Sequence, residues 1–408
     1  PRKGASLVHG NNSGGKTLFT GQPPHPKSAR AGVYAPCMRI SSDQEAMALA
    51  LAWAEKSLWL SNPNPRVGCV ITTPDGDLLG AGHTQAVGEA HAEVMALRDA
   101  HAKGLSVQGA TAYVTLEPCA HHGRTPPCVD AIKTAGIARV VVAATDPNPA
   151  VNGQGIARLR EAGVQVETGL MADAARGLNI GFFSRIIRKR PWVRMKMAAS
   201  ADGITALPNG ESQWISSPEA RQDGHRFRAQ ACVVLTGAGT VLADDPQLDA
   251  RGLPLSRQPH VVVIDSRLQT PVTARLLRGQ REKWLYHSGV ATEQARASLE
   301  TAGATLITLA NAHNKVDLTA MLTDLAQREV NEVHLEAGAA LNGSFLREQL
   351  VDEVLLYLAP TLLGQGLGLS NLGPLSALSQ GVAMRWLPPS MVGPDIRLRG
   401  IVDNRDLF

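Results

Sequence analysis

The residues best suited to chemistry in this chain are His91-Ala92-Glu93, followed by Pro118-Cys119 and then Cys128. One histidine and two cysteines make three nitrogen and sulfur donors. A catalytic zinc site takes that number from protein and leaves a fourth position for water. Glu93 gives the set a use beyond holding metal. Zinc lowers the pKa of water to about 7, and a carboxylate beside it can take that proton and redeliver it. Hydroxide attack at an amidine-like ring carbon, with proton delivery to the departing amine, is hydrolytic deamination. Zinc nucleobase deaminases carry H-x-E and P-C-x-x-C; here eight residues rather than two separate the cysteines.

Two plainer uses stay open at this point. His121 or His122 would close a four-ligand structural zinc site, which accounts for the cysteines but leaves Glu93 idle. Alternatively, Cys119 and Cys128 are reduced, partly buried thiols.

The elements that must position these residues alternate between helix and strand. A helical apolar face runs from Ser42 to Leu60, with Ser42 and Glu45 spaced as a capping box. Val67–Ile71 reads as a strand turned back by Pro74-Asp75-Gly76, His91–Arg98 as helix and Ala112–Leu116 as strand. Cys128–Ala135 reads as helix and Val140–Ala144 as a buried strand. Cys119 thus follows a strand, while Cys128 opens a helix whose positive end favours thiolate. Such alternation predicts an α/β sheet covered by helices over residues 41–185.

The basic stretch Arg185 to Pro191 reads as a linker to a second α/β unit over residues 190–408 that opens with Trp192–Ala198. Strands are expected at Ala231–Thr236, His260–Ile264, Lys283–Tyr286, Thr305–Thr308, Glu332–Leu335 and Glu353–Leu358, with helices at Pro218–Ala229 and Leu318–Arg328. Ser217 caps the former and Pro218 takes its first position. Two glycine-bearing steps follow strands. One is Thr236-Gly237-Ala238-Gly239-Thr240; the other runs from Glu336 through the turn Gly338–Ser344 to a helix from about Phe345. Backbone N–H groups in such steps can meet a phosphate, although G-x-G-x-x-G is absent and a tight loop is an equal reading.

Composition narrows the classes. The 408 residues are 44% hydrophobic and 19% charged, as in ordinary globular enzymes, and no apolar run reaches the 18 or so residues of a spanning helix. Aromatic residues are only 4%, which argues against base-stacking surfaces. Residues 1–37 carry Arg2, Lys3, Lys16, Lys27 and Arg30 without an acid, a charge of +5, so the +4 total leaves the remainder at −1. No nucleic-acid footprint is therefore expected on the folded part. The leader's Gly, Pro, Ser and Asn content predicts disorder, with Met38 a candidate start and a transit peptide the alternative. Five cysteines are too few for a disulfide framework, so a reducing, cytoplasmic setting is expected.

The run Thr115-Leu116-Glu117-Pro118-Cys119-Ala120-His121-His122-Gly123-Arg124-Thr125-Pro126-Pro127-Cys128, with His91-Ala92-Glu93, resembles the bifunctional deaminase–reductase family of riboflavin biosynthesis. Its longer loop between the cysteines matches the spacing here. Asn62-Pro63-Asn64-Pro65-Arg66-Val67-Gly68 and Asp146-Pro147-Asn148-Pro149 are also similar, and the likeness spans roughly residues 41–400. The resemblance implies a cytidine-deaminase-like three-layer α/β/α domain, then a dihydrofolate-reductase-like α/β domain. By that likeness His91, Cys119 and Cys128 hold zinc, Glu93 shuttles the proton, Asn64 holds the pyrimidine, and His121 and Arg124 meet the substrate phosphate. The family pattern has histidine where this chain has Thr84, and His83 beside it reads as structural or surface.

Lys196 with Ala199-Ser200-Ala201-Asp202-Gly203, then Gly210-Glu211-Ser212-Gln213-Trp214-Ile215, then Thr240-Val241-Leu242-Ala243-Asp244-Asp245-Pro246 look like the family's reductase domain. The resemblance implies NADPH held by Ala198, Trp214, Thr240, Asp244, Ser266 and the run Gly338, Ala339, Ala340, Leu341, Asn342, Gly343 and Ser344. It implies substrate held by Ser212, Arg228, Leu248, Arg251 and Glu336, with Arg228 and Arg251 suited to its phosphate. Asp244 and Lys196 are the candidates for the proton that accompanies hydride transfer. The expected partners are a phosphoribosyl-pyrimidine and further copies of the chain in a homo-oligomer, a homodimer or larger assembly, with neither nucleic acid nor membrane. Two alternatives stand: a nucleic-acid or nucleoside deaminase with a C-terminal binding domain, which calls for a basic stripe, and a zinc-stabilised scaffold, which has no use for Glu93.

Overall fold

Ser42 turns an extended segment into the first helix: its hydroxyl accepts the Glu45 N–H at 3.2 Å. The other half of the expected capping box falls one residue earlier, because the Glu45 carboxylate accepts from the Ser41 N–H and hydroxyl. The computed structural model describes residues 39–122, 126–149 and 151–408. The leader 1–37 and Arg124 lie outside the described residues.

The first unit runs α1 (Asp43–Glu55), β1 (Gly68–Thr72), β2 (Leu78–His83), α2 (Ala92–Ala102), β3 (Thr111–Leu116), α3 (Cys128–Thr134), β4 (Arg139–Ala144), α4 (Gln154–Glu161), β5 (Gln165–Thr168), α5 (Ala172–Leu178) and α6 (Ile180–Arg188). Its sheet order is β2-β1-β3-β4-β5, antiparallel across β2-β1-β3 and parallel across β3-β4-β5. Strand alternation assigns the helices to faces. A Cβ on Gly68 would strike the Ala50 carbonyl of α1, whereas Cβ atoms on Gly80 and Gly82 would strike the α2 backbone around Ala96. Gly68 pairs with His83, so Gly82 lies on the opposite face from Gly68. Helices α1 and α5 cover one side and α2, α3 and α4 the other. These are the three expected layers.

The second unit runs β6 (Trp192–Ser200), β7 (Ile204–Ala206), α7 (Pro218–Gln230), β8 (Val233–Gly237), α8 (Ala238–Asp244), β9 (His260–Ile264), β10 (Lys283–His287), α9 (Glu293–Thr301), β11 (Thr305–Thr308), α10 (Leu318–Gln327), β12 (Glu332–Leu335), α11 (Ala339–Arg347), β13 (Glu353–Ala359), β14 (Leu367–Gly368), β15 (Met384–Trp386), β16 (Ser390–Val392) and β17 (Asp395–Val402). The main sheet has the order β11-β10-β9-β8-β12-β6-β13-β17-β15, with β16 beside β17. It is parallel from β11 to β13 and antiparallel beyond. Ser217 caps α7 through the Ala220 N–H at 3.1 Å, with Pro218 at the first position as expected.

Three expectations need correction. The Gly338–Ser344 run is not a turn leading to a helix at Phe345; Gly338 caps α11, which begins at Ala339. Alanine and leucine favour helix there. The internal Gly343 is required by packing, since a Cβ would lie 1.9 Å from the Asn371 carbonyl. Likewise Ala238-Gly239-Thr240 opens α8 directly after β8 rather than forming a loop. The basic stretch at 185–191 largely closes α6, leaving residues 189–191 before β6. Among the described residues no helix is long and apolar enough to cross a membrane.

Candidate functional site

His91 caps α2 with extended backbone, which puts its ring at the helix mouth and buries Glu93 in the first turn. Cys119 follows β3 and Cys128 is the first residue of α3. The Cys128 N–H donates to the Cys119 sulfur at 3.3 Å. His91 Nδ1 lies 3.6 Å from Cys119 Sγ and 3.3 Å from Cys128 Sγ, and the three donor atoms all fall within 4.8 Å of one another. Zinc–nitrogen and zinc–sulfur bonds at a tetrahedral angle require an N···S edge of about 3.5 Å. The donors therefore fit zinc in both type and spacing. Neither His121 nor His122 joins the cluster, and both are exposed, so the four-ligand structural site does not form among the described residues.

Hydrogen bonding from Cys128 draws the Cys119 thiol down to about 4, and the same contact pushes Cys128 up. His91 is raised, chiefly by its contact with Cys119. Burial lifts Glu93 to about 7, helped by the charge on Cys119.

At the reductase end, Arg228 of α7 meets Glu336 just beyond β12. Nε and Nη2 donate to the two carboxylate oxygens, the latter at 2.8 Å, and Nη1 donates to the Asp249 carbonyl at 2.9 Å. Lys196 on β6 is held down by burial, with Glu336 and Arg228 as its charged neighbours. These three predicted residues are brought together. Thr240, Ser266 and the start of α11 follow β8, β9 and β12, three neighbours in the sheet, so the cofactor candidates gather at one set of strand ends. A Cβ on Gly237 would come 3.1 Å from Leu341 Cδ2, which shows how closely α11 meets the β8–α8 step. Ala198 lies on β6 opposite Tyr357.

Other predicted residues stand apart. Asn342 and Gly343 pack against the 369–371 segment, and Ser344 bonds back to the Ala340 carbonyl. The Leu248 side chain is buried in an apolar core. Arg251 reaches Gln247 and Asp249 at the surface. Trp214 is exposed with Arg221 over its ring at 4.4 Å, and Ser212 is half-buried nearby in sequence. Asp244 ends α8, exposed, with its carboxyl raised by partial burial.

Residues 40–144 match the family model for the cytidine and deoxycytidylate deaminase zinc-binding region, and residues 191–395 match that for the RibD C-terminal domain. The riboflavin biosynthesis protein RibD of Escherichia coli is 43% identical over 369 residues, covering 87% of this chain and 98% of that protein. The chain belongs to the RibD family. Its counterpart from Aquifex aeolicus is 38% identical, covering 87% of this chain and 97% of the relative. Among solved structures, RibD of Acinetobacter baumannii superposes with a TM-score of 0.81 at 40% identity, covering 89% and 99% of the two chains. The Thermotoga maritima diaminohydroxyphosphoribosylaminopyrimidine deaminase/5-amino-6-(5-phosphoribosylamino)uracil reductase does so at 0.77 and 31% identity, covering 88% and 98%. The residues matched by the cytidine and deoxycytidylate deaminase zinc-binding model include the whole His91, Cys119, Cys128 cluster with Glu93, and those matched by the RibD C-terminal model include Lys196, Arg228 and Glu336.

Two residues that the motifs contain were missed as contributors. Glu117 is buried and its carboxylate accepts four backbone N–H groups, from Asp146, Gly153, Gly155 and Ile156, at 2.9 to 3.3 Å. That clamp fixes the chain leaving β4 against the Cys119 segment. Asp146 sits there with its carboxyl lifted to about 6 by burial, near Glu117, His121 and Cys119. An acid directly after an apolar strand was the available signal. Thr84 is buried, and its hydroxyl accepts the Val67 N–H at 3.1 Å, a structural role. Asn64 lies in the turn entering β1, at the end of the sheet where the antiparallel neighbour β3 finishes.

Proposed function

We propose that the chain performs two successive steps of riboflavin biosynthesis, the first in residues 41–185 and the second in residues 190–408. As a member of its family it is a bifunctional deaminase and reductase, with zinc and NADPH as cofactors. The first substrate is 2,5-diamino-6-(5-phosphoribosylamino)pyrimidin-4(3H)-one, which loses its 2-amino group. The second is 5-amino-6-(5-phosphoribosylamino)uracil, whose ribosyl chain becomes ribityl. The observation that carries the reading is the buried Glu93 two residues from His91, beside a three-donor cluster of zinc dimensions.

Bound zinc supplies Lewis acidity that makes water a nucleophile near neutral pH. Glu93 takes the proton from the attacking water and delivers it to the departing amine, a task that a carboxyl near pH 7 suits. Asn64 orients the pyrimidine, and His121 and Arg124 take the phosphate. In the second unit NADPH supplies hydride. Ser212, Arg228, Leu248, Arg251 and Glu336 hold the substrate. The cofactor is held by Ala198, Trp214, Thr240, Asp244, Ser266 and the segment from Gly338 to Ser344, the first residues of α11 foremost. Lys196 and Asp244 handle the accompanying proton.

A homodimer in a reducing, cytoplasmic setting completes the proposal. The exposed Trp386 and Met391 on the outer strands β15 and β16, with Ile396 on β17 beside them, and the free thiols Cys69, Cys119, Cys128 and Cys232 support it. Ammonia release from the diaminopyrimidine by zinc-loaded protein tests the first step; none would defeat it. Light scattering at twice the chain mass tests the dimer.

A further inference from the structure

The guanidinium of Arg66, on the segment entering β1 of the deaminase unit, is buried against Glu332 and Gln230 of the other half of the chain and Leu178 of its own. Nη1 lies 2.5 Å from Glu332 Oε1, and the two side chains are 4% and 1% exposed. Nη2 donates to the Gln230 carbonyl at 3.1 Å, and Nη1 also donates to the Leu178 carbonyl at 2.9 Å. Asn62 Nδ2 donates to the same Gln230 carbonyl at 2.7 Å, and Asn331 Nδ2 donates to the Pro63 carbonyl at 2.8 Å. Asn179 fixes Arg66 from behind, accepting its N–H at 2.7 Å and donating to its carbonyl at 2.9 Å.

These contacts fall on the ends of two elements. Gln230 is the last residue of α7, where carbonyls lack helical partners and carry partial negative charge. The 62–66 segment supplies that missing cap from the deaminase unit. Glu332 is the first residue of β12, which is only four residues long. Arg228 stands two residues before the end of α7 and Glu336 directly follows β12, so the clamp grips α7 at the end that carries Arg228 and β12 at the end opposite Glu336.

We propose that Arg66 is a positioning residue for the reductase reaction, although it belongs to the deaminase unit. By fixing α7 and β12 against each other it sets the geometry of Arg228 and Glu336, and an error of about 1 Å in such a pair can cost on the order of 10²-fold. Loss of Arg66 does not strip Glu332 of partners, because Arg194 Nη1 and Gln230 Nε2 still donate to Oε2 at 3.1 and 3.2 Å. The effect is therefore separable from unfolding.

The inference rests on the proposed reductase activity, and the experiment separates the two. Reduction of 5-amino-6-(5-phosphoribosylamino)uracil by the full-length chain at saturating NADPH is compared for wild type, Arg66→Met, Arg66→Lys, Glu332→Gln and the Arg66→Met/Glu332→Gln double variant. Arg66→Met is expected to raise the KM for the uracil substrate about tenfold, with the KM for NADPH and the deamination rate within about twofold of wild type. Arg66→Lys should recover part of the loss through the Glu332 contact, and the double variant should fall short of the product of the two single effects. An unchanged KM, or both activities declining in proportion to the folded fraction, would overturn the assignment. Wild type that reduces nothing would overturn the reductase reading, and this inference with it.

Discussion

Arg228 and Glu336 face each other fork to fork, with Nη2 donating to Oε2 at 2.8 Å. Burial alone would lift the Glu336 carboxyl; the charge and hydrogen bonds of Arg228, together with His334, outweigh it and hold the group well below the ordinary range. Arg228→Met leaves that carboxylate buried beside His334, 3.2 Å away, and Lys196. The loss of reduction should reach on the order of 10²-fold in kcat/KM, because one partner of a desolvated pair is removed. Deamination should be unchanged. Steady-state NADPH oxidation and ammonia release, measured on the same protein, check both halves of this statement.

Lys196 and Asp244 share an expected role but not an environment. Lys196 is held down by burial near Glu336, whereas Asp244 is exposed at the end of α8. Lys196→Met should lower the reduction kcat by on the order of 10²-fold or more with NADPH affinity retained, the usual size for a lost general acid. Asp244→Asn should lower the reduction kcat by less than Lys196→Met and also raise the KM for NADPH, because Asp244 is assigned to both the proton and the cofactor. Near-normal reduction by both variants would remove them from proton handling.

Glu93→Gln keeps the shape of a buried side chain and removes its proton exchange. Deamination should fall by about 10²–10⁴-fold while zinc content, read by atomic absorption, stays the same. A chelator that strips the metal should abolish deamination and leave reduction of the uracil substrate within about twofold, since the two sites use separate residues. Loss of both activities on chelation would argue that zinc supports the whole fold.

Much of this was legible in the sequence because the chemistry-bearing residues sit beside strong local signals. Ser42 and Ser217 announced their helices, and the apolar runs at Val140–Ala144 and His260–Ile264 announced buried strands. The candidate metal donors stood out by residue type, and the long loop between the cysteines was legible only through the family resemblance. What escaped depends on long-range packing. Gly343 looked like a turn glycine because the sequence does not show the 369–371 segment pressed against it. Glu117 looked like part of a motif because its four N–H partners lie 29 to 39 residues away. Arg66 read as one member of a resemblance, and its partners Gln230 and Glu332 stand more than 160 positions along the chain.

Glu353 gives a pH dependence with a definite sign. Burial by itself would raise its carboxyl, but Arg194 and Arg399 outweigh that and bring it to about 2, from an ordinary 4.5. A depressed acid stabilises the fold fully above its unfolded value and loses that contribution as pH falls through the folded one. Thermal stability should therefore hold above pH about 4.5 and fall towards pH 2. Glu353→Gln should be less stable at neutral pH and show a flatter acid limb. A variant with the wild-type acid limb would show that other carboxylates govern the transition.

The most direct test of the account is mass spectrometry of the products formed from 2,5-diamino-6-(5-phosphoribosylamino)pyrimidin-4(3H)-one by zinc-loaded protein, with and without NADPH. Without NADPH the account predicts the deaminated uracil alone, and with it the ribityl product, two hydrogens heavier. No mass change under either condition, with zinc bound and the protein folded, would contradict it.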